Sequence, residues 1–228
     1  PNVAIHPGRH VSWYGNDFQR QRALACLTGL LGAFGVKGGF VPPKGPKGLA
    51  KAGWAKAEHH EKSLREMKDV YHYSPPGTPT DLIRDTAITG QPYPIKGCVI
   101  WGQNPIQTIP NQEKTIKMLE QMDFVMCVDV MPTDITMYAD ILLPDTCYLE
   151  RYDMIKSGTQ WNFADEHQQY IAPRMPLVAP GFERKESIFI TNEIAKRMGL
   201  GEKIPVQNSE EMVNKMLAGV QLSIDKIK

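Results

Sequence analysis

The run from residue 95 to residue 144 constrains the fold more than any other part of this 228-residue chain. IKGCVIW (95–101) reads as a strand, QEKTIKMLEQM (112–122) as an amphipathic helix, and DFVMCVDV (123–130) as a second, continuously apolar strand. TDITMYA (133–139) suits a short helix, and DILLP (140–144) reads as a third strand that its proline stops. Strand–helix–strand–helix–strand at this spacing predicts a parallel sheet with right-handed crossovers. Unbroken apolar strands agree, because parallel strands are covered on both faces and need not alternate. The predicted class is α/β, a Rossmann-like parallel sheet flanked by helices.

Downstream, ERKESIFITNEIAKRMGL (183–200) predicts a helix with Ile188, Ile190, Ile194, Met198 and Leu200 largely on one side. SEEMVNKMLAGV (209–220) predicts another, with Ser209 and Glu210 at its start. Upstream, NVAI (2–5) reads as a short strand emptying into a Pro-Gly turn. Residues 18–35 carry apolar side chains at 24, 25, 27, 30, 31 and 34, which is helical spacing, with Gly35, Gly38 and Gly39 as the stop. Residues 41–95 are rich in Pro, Gly, Lys and His, with short helices expected only around 60–70 and 80–88. Fifty irregular residues in a compact domain mark a functional excursion or a docking surface. The division expected is 1–94, a partial α/β segment with a long irregular insert, and 95–228, the Rossmann-like domain.

Charge and apolar content exclude several classes. A net charge of +1 gives no electrostatic argument for nucleic acid or an anionic membrane. No apolar run approaches the roughly 18 residues a membrane helix needs, so direct membrane insertion is not expected. The opening Pro1-Asn2-Val3-Ala4-Ile5 has no initiator Met, basic region or apolar core of a signal peptide, and reads as the interior of a longer polypeptide. Cys26, Cys98, Cys127 and Cys147 show no CxxC spacing. With Cys26 in an apolar helical run and Cys98 and Cys127 in strands, buried small hydrophobes are expected. His59 and His60, beside Glu58 and Glu61, read as solvated surface, and the lysines at 44, 47, 51 and 56 as a solvated loop. GxSxG, HExxH, P-loop and GxGxxG patterns are all missing.

In an open α/β sheet, ligands sit beyond the carboxyl ends of the strands. After the first strand comes GQNPIQT (102–108). Gly102 lets the backbone turn closely round a ligand, Asn104 offers a donor and an acceptor, and Thr108 lies near the next helix start. Exposed amides there would suit a phosphate or diphosphate, although Gly-x-Asn-Pro is also simply a good turn. Asp129 ends the second strand, where dinucleotide folds hold ribose hydroxyls or guanine N–H donors; a helix cap is the competing reading. LPDTCYLE follows the third strand, bringing Asp145 and Glu150 within reach of the same crevice. His6, Arg9 and His10 on one turn would make a cationic, anion-attracting corner, or a loop satisfying its own hydrogen bonds.

GQNPIQT followed by VDVMPTDITMYADILLPDTCYLERYD closely resembles the molybdopterin oxidoreductase (dimethyl sulfoxide reductase) superfamily. Its pattern is a G-x-N/D-P loop, a strand ending in Asp, an ADVVLP-like segment matched by ADILLP, and an acid soon after. SGTQWNFADEHQQYIAPRMPLVAPGFERKESIFITNEIAKRMG (157–199) resembles the family's Gly-Thr-aromatic-x-Asn hairpin and trailing helix. HPGRHVSWYGNDFQRQRALACLTGLLGAFGVKGGF (6–40) is similar to the polysulfide and thiosulfate reductase branch.

The resemblance implies the central domains of a catalytic subunit that binds bis-molybdopterin guanine dinucleotide with molybdenum, residues 95–228 forming the dinucleotide-binding domain. Cofactor contacts carried over are His6, His10, Gly102, Asn104, Thr108, Val128, Asp129, Asp145, Arg151 and Glu186. The family often has Lys at the Arg151 position and Asp at the Glu186 position. Arg9 and His10 take the catalytic places, facing an anionic sulfur substrate. The implied reaction is two-electron reduction of polysulfide or thiosulfate by S–S cleavage. Formate dehydrogenase, nitrate reductase, arsenate reductase and a non-catalytic molybdopterin-like scaffold subunit are the alternatives. No residue here matches the family's molybdenum ligand or its N-terminal iron–sulfur cysteine motif, and the family's C-terminal barrel-like domain has no counterpart. The chain is therefore read as a fragment, inactive alone, whose partners are the missing parts of its own subunit. An iron–sulfur electron-transfer subunit and a membrane anchor subunit would complete the assembly, on the periplasmic or exterior face of the cytoplasmic membrane.

Overall fold

The computed structural model describes residues 3–6, 17–41, 46–55, 80–156 and 170–227. The chain divides into two compact units. One comprises Pro1–Val41, Glu58–Cys127 and Pro132–Leu142; the other comprises Pro42–Ala57, Val128–Met131 and Leu143–Lys228. The class is α/β, as expected, with a three-stranded parallel sheet and helices. The order is β1 (Gly97–Trp101), β2 (Phe124–Asp129), β3 (Ile141–Pro144).

Only β2 shows the burial that its unbroken apolar run predicts. Val125, Met126, Cys127 and Val128 are all buried. β1 and β3 flank it, and each keeps side chains in solvent: Val99, Ile141 and Leu142 are exposed. A three-stranded sheet has one interior strand, so full cover falls to that strand alone.

In the first unit the core gathers Ala87, Ile106, Met118, Leu119, Val125, Cys127 and Ile135. These come from α2 (Thr80–Thr89), α3 (Pro105–Thr108), α4 (Gln112–Glu120), β2 and a 3₁₀ turn, Asp134–Tyr138. Asn111 starts α4 in the left-handed region, with its side chain accepting from the Lys114 N–H at 3.1 Å. Arg84 ties α2 to the entry of α4: its Nη1 donates to the carbonyls of Pro110 (2.8 Å) and Asn111 (3.2 Å) and to Thr115 Oγ1 (3.0 Å). Its Nη2 donates to Asp81, which Lys114 also reaches at 3.2 Å.

The helix α1 (Asp17–Leu30) stops earlier than the glycine cluster predicts. Gly32, at φ 60°, ends it before Gly35 is reached. Leu27, Leu30, Leu31 and Phe34 are exposed, and so is Cys26, which corrects the expectation of a buried thiol there. Cys127 is buried, Cys98 and Cys147 are half-buried, and none of the four forms a disulfide. Burial, and then the neighbouring Cys127, push the Cys98 thiol up. Residues 3–6 carry no strand, a second correction: the apolar run is too short to hold one without a pairing edge. The helix expected around 60–70 lies outside the described residues.

In the second unit, β4 (Asp153–Lys156) and β5 (Ile171–Arg174) form an antiparallel pair, from Asp153 opposite Arg174 to Lys156 opposite Ile171. They pack with α6 (Ser209–Ala218) and α7 (Ile224–Ile227) round Val213, Leu217 and Ile224. Asn208 caps α6 by accepting from the Glu211 N–H at 2.8 Å, while the Glu211 carboxylate accepts from the Gln207 N–H at 2.6 Å. α5 (Ser187–Arg197) ends at Gly199, φ 72°, where the Leu200 N–H reaches back to the Ala195 carbonyl. Among the described residues no helix is long and apolar enough to cross a membrane.

Candidate functional site

The loop after β1 begins at Gly102, whose φ of 59° lies in the left-handed region and where an added Cβ would meet open space. Asn104 then starts α3 with its backbone. Its carbonyl accepts from the N–H groups of Gln107 (3.0 Å) and Thr108 (2.9 Å) and from the Thr108 hydroxyl (3.0 Å). Its side chain turns to the 3₁₀ turn instead, Nδ2 donating to Asp134 Oδ2 at 2.9 Å. Side-chain hydrogen bonds from Asn104 and then Gln107 hold the Asp134 carboxyl below its ordinary range. Asn104 Oδ1 and Thr133 Oγ1 are both buried without a hydrogen-bond partner among the described residues. Gly102, Asn104 and Thr108 are thus gathered in one turn, but Thr108 spends its hydroxyl on that turn.

In the second unit, β2 and β3 end in register, the Asp145 N–H donating to the Asp129 carbonyl at 2.9 Å. Val128 is buried in full, backbone included, and presents no surface to a ligand. Asp129 is half-buried and accepts from the Val130 N–H through Oδ1 at 2.7 Å. Asp145 is buried and anchors a polar knot. Its Oδ1 accepts from the Thr146 N–H at 2.7 Å, its Oδ2 from the Ser187 hydroxyl at 2.7 Å, and Arg151 Nη1 stands 3.4 Å from both oxygens. Arg151 also donates to the Thr146 carbonyl at 2.9 Å.

Glu186 precedes α5 without capping it. Its carboxylate bonds instead to Ser209 at the head of α6, accepting the N–H at 3.1 Å and the hydroxyl. Ser209 Oγ in turn accepts from the Tyr152 N–H at 3.2 Å. Between these groups lies a cavity of about 170 Å³ whose polar walls include Arg151, Glu186, Ser187 and Ser209. The cavity opens to solvent, so its polar floor can meet one end of a larger ligand. Glu150 is buried against Arg184, Nη2 to Oε1 at 2.6 Å, and accepts from the Cys147 N–H at 3.0 Å. The Cys147 amide, more than the Arg184 charge, holds its carboxyl below the ordinary value.

Of the cationic corner, His6 is described and exposed, while Arg9 and His10 lie outside the described residues. No group of three or more His, Cys, Asp or Glu among the described residues could hold a metal ion. The sequence reading passed over Thr133, Asp134, Ser187 and Ser209. The one signal for Asp134 was its place in the TDIT stretch just after the second strand.

Likeness to known proteins identifies the family of the chain. The thiosulfate reductase molybdopterin-containing subunit of Salmonella typhimurium is 27% identical over 224 residues, spanning 92% of this chain and 29% of that protein. The acetylene hydratase of Syntrophotalea acetylenica is 32% identical over 136 residues, spanning 60% of this chain and 18% of that protein. In three dimensions the acetylene hydratase from Pelobacter acetylenicus superposes with a TM-score of 0.58 at 23% identity. That superposition covers 72% of this chain and 23% of the other, and supports the fold. The chain spans less than a third of the length of the first of these curated relatives. Residues 52–197, more than half of the chain, match the molybdopterin oxidoreductase family, and the chain belongs to that family.

Proposed function

We propose that the full-length protein is the catalytic subunit of a molybdenum–pterin oxidoreductase that reduces polysulfide or thiosulfate, cleaving an S–S bond with two electrons. One observation carries the choice of substrate. The thiosulfate reductase subunit is 27% identical along 92% of this chain, a likeness that reaches into the 6–40 stretch similar to the polysulfide and thiosulfate reductase branch. The proposed cofactor is bis-molybdopterin guanine dinucleotide, with residues 95–228 as its dinucleotide-binding part.

The residues present fit such a group. Gly102 leaves open space beside the backbone, and Asn104 has a buried acceptor oxygen with no partner among the described residues. In this reading Gly102, Asn104 and Thr108 contact the nucleotide in the first unit. In the second, Asp129 offers carboxylate oxygen to N–H or ribose O–H donors, and the fully buried Val128 holds the strand that carries it. Arg151, held by Asp145, presents a guanidinium to an anionic group, and Glu186 sets Ser209 beside it. His6 and His10 are assigned to pterin contact, and Arg9 with His10 to stabilising negative charge on substrate sulfur. The bound group supplies the two-electron redox chemistry, while the protein orients it and sets the local charge. An iron–sulfur cluster elsewhere in the subunit, an iron–sulfur electron-transfer subunit, a membrane anchor subunit and a periplasmic or exterior location belong to the same proposal.

The test is anaerobic purification of the full-length protein and assay with a reduced viologen dye. Thiosulfate or polysulfide should oxidise the dye, and unfolding should release guanine nucleotide with molybdenum. Turnover of nitrate or arsenate in their place, or of formate with oxidised dye, would reassign the substrate within the family. Hydration of acetylene would move the protein to the chemistry of its other relative. Protein that carries neither metal nor nucleotide would be a scaffold subunit.

A further inference from the structure

An amide has one donating and one accepting end, and its neighbours decide which way round it sits. An ionised carboxylate only accepts, so Asp134 can bond Asn104 through Nδ2 alone, as it does at 2.9 Å. Turning the amide over would set Oδ1 against the carboxylate. Gln107 bonds the same carboxylate, which is ionised at neutral pH in any case, and the two amides lower it further. The end of Asn104 left over is therefore the acceptor, and Oδ1 is buried with no hydrogen-bond partner among the described residues. Buried acceptors of this kind are ordinarily met by water or by a ligand. Thr133 Oγ1, next in sequence to Asp134, is buried and unpaired as well.

The rest of the turn is poorly made for a phosphate. The N–H groups of Gln107 and Thr108 are spent on the Asn104 carbonyl, Pro105 has none, and α3 has only four residues. We propose that Asp134 is a positioning residue that fixes the Asn104 amide so that Oδ1 receives an N–H or O–H donor of the bound nucleotide. The turn after β1 then reads a donor edge and is not a phosphate cradle. This rests on the nucleotide-binding reading above.

The experiment uses the full-length protein purified anaerobically, with guanine nucleotide counted per polypeptide. Its rate of release is followed at a temperature below every unfolding midpoint. Asp134→Ala frees the amide to turn either way, and release should quicken about three- to tenfold, the effect of losing one ordinary hydrogen bond. The double variant Asn104→Asp with Asp134→Asn reverses the pair. The new amide at 134 donates to one oxygen of the new carboxylate at 104, and the other oxygen still accepts from the ligand. Release should return to within about threefold of the parent, whatever the unfolding midpoint does. Release unchanged in Asp134→Ala overturns the proposal, because the bond would then be structural only. Faster release in the double variant than in Asp134→Ala also overturns it, because a carboxylate at 104 repels phosphate and welcomes a donor. A parent protein with no guanine nucleotide refutes the nucleotide reading itself, a distinct result.

Discussion

Asp145 should prove a keystone of the second unit before it proves anything else. Substitution by Ala removes the acceptor of three donors at once: the Thr146 N–H, the Ser187 hydroxyl and the Arg151 guanidinium. Thr146 is buried in full, so its N–H cannot turn to water. Hydrogen bonds to a charged group contribute about 1.5–3 kcal/mol each, and a buried donor left unpaired costs about 1–3 kcal/mol. Arg151 keeps 27% of its side-chain surface in water, so its share is discounted towards the surface-pair range of about 0–1 kcal/mol. Ser187 and Arg151 are half-buried and can turn to water, so each contribution is taken near the low end of its range, and Asp145→Ala should cost about 3–4 kcal/mol. Asp145→Asn keeps one acceptor oxygen and should cost about half of that. For a chain of this size about 1 kcal/mol moves the thermal midpoint by roughly 2–4 °C, so the Ala variant should melt about 6–16 °C lower. Urea titration and thermal unfolding of the 228-residue chain, with Ser187→Ala and the double variant, complete a mutant cycle. Coupling between Asp145 and Ser187 should exceed about 0.5 kcal/mol. A midpoint within about 4 °C of the parent together with additive single effects would refute the keystone reading.

Arg84→Met should cost about 3 kcal/mol, because it strands the Pro110 and Asn111 carbonyls and Asp81, whereas Lys114→Ala should cost under about 1 kcal/mol; urea midpoints decide. Acid should weaken the fold through Asp81 and Glu150. Burial alone would raise Asp81, but hydrogen bonds from Arg84 and Lys114 outweigh it and lower the carboxyl, and Glu150 is lowered by the Cys147 amide. A lowered carboxylate contributes its full stability above the ordinary value, 3.8 for Asp81 and 4.5 for Glu150, and loses it as pH falls below that. Thermal midpoints followed downward from neutral pH should therefore drop through that range, and Glu150→Gln should flatten the drop. In the full-length protein Asp129→Ala should lower molybdenum and guanine nucleotide together; unchanged content of both speaks against the cofactor role of Asp129.

The elements legible in the sequence were those whose cause is local. An unbroken apolar run makes β2 recognisable, because no surface strand could carry Val125 to Val128. The helix starts read at 112 and 209 hold, and the caps that set them, Asn111 and Asn208, stand one residue earlier, each side chain reaching the N–H three residues on. α1 shows the limit: its apolar spacing continues past Leu30, yet Gly32 adopts a left-handed turn and ends the helix first. The exposure of Leu30 and Phe34 could not be read from periodicity, which gives a face and not what covers it.

The candidate site residues were legible as types and illegible as pairs. Asn104 and Asp134 are 30 positions apart, Asp145 and Ser187 are 42 apart, and Glu186 and Ser209 are 23 apart. Each was open to reading as a free ligand contact until its partner was known, and each partner takes away part of what the residue has to offer. Asp145 gives both oxygens to its own unit, Glu186 gives its carboxylate to Ser209, and Asn104 gives its donor to Asp134. In the first unit, what that subtraction leaves for a ligand is the Asn104 acceptor. In the second unit, taken by itself, it leaves one Asp129 oxygen and the face of Arg151 that Asp145 does not use. Under the proposed function the first would select a hydrogen-bond donor, and Arg151 an anion.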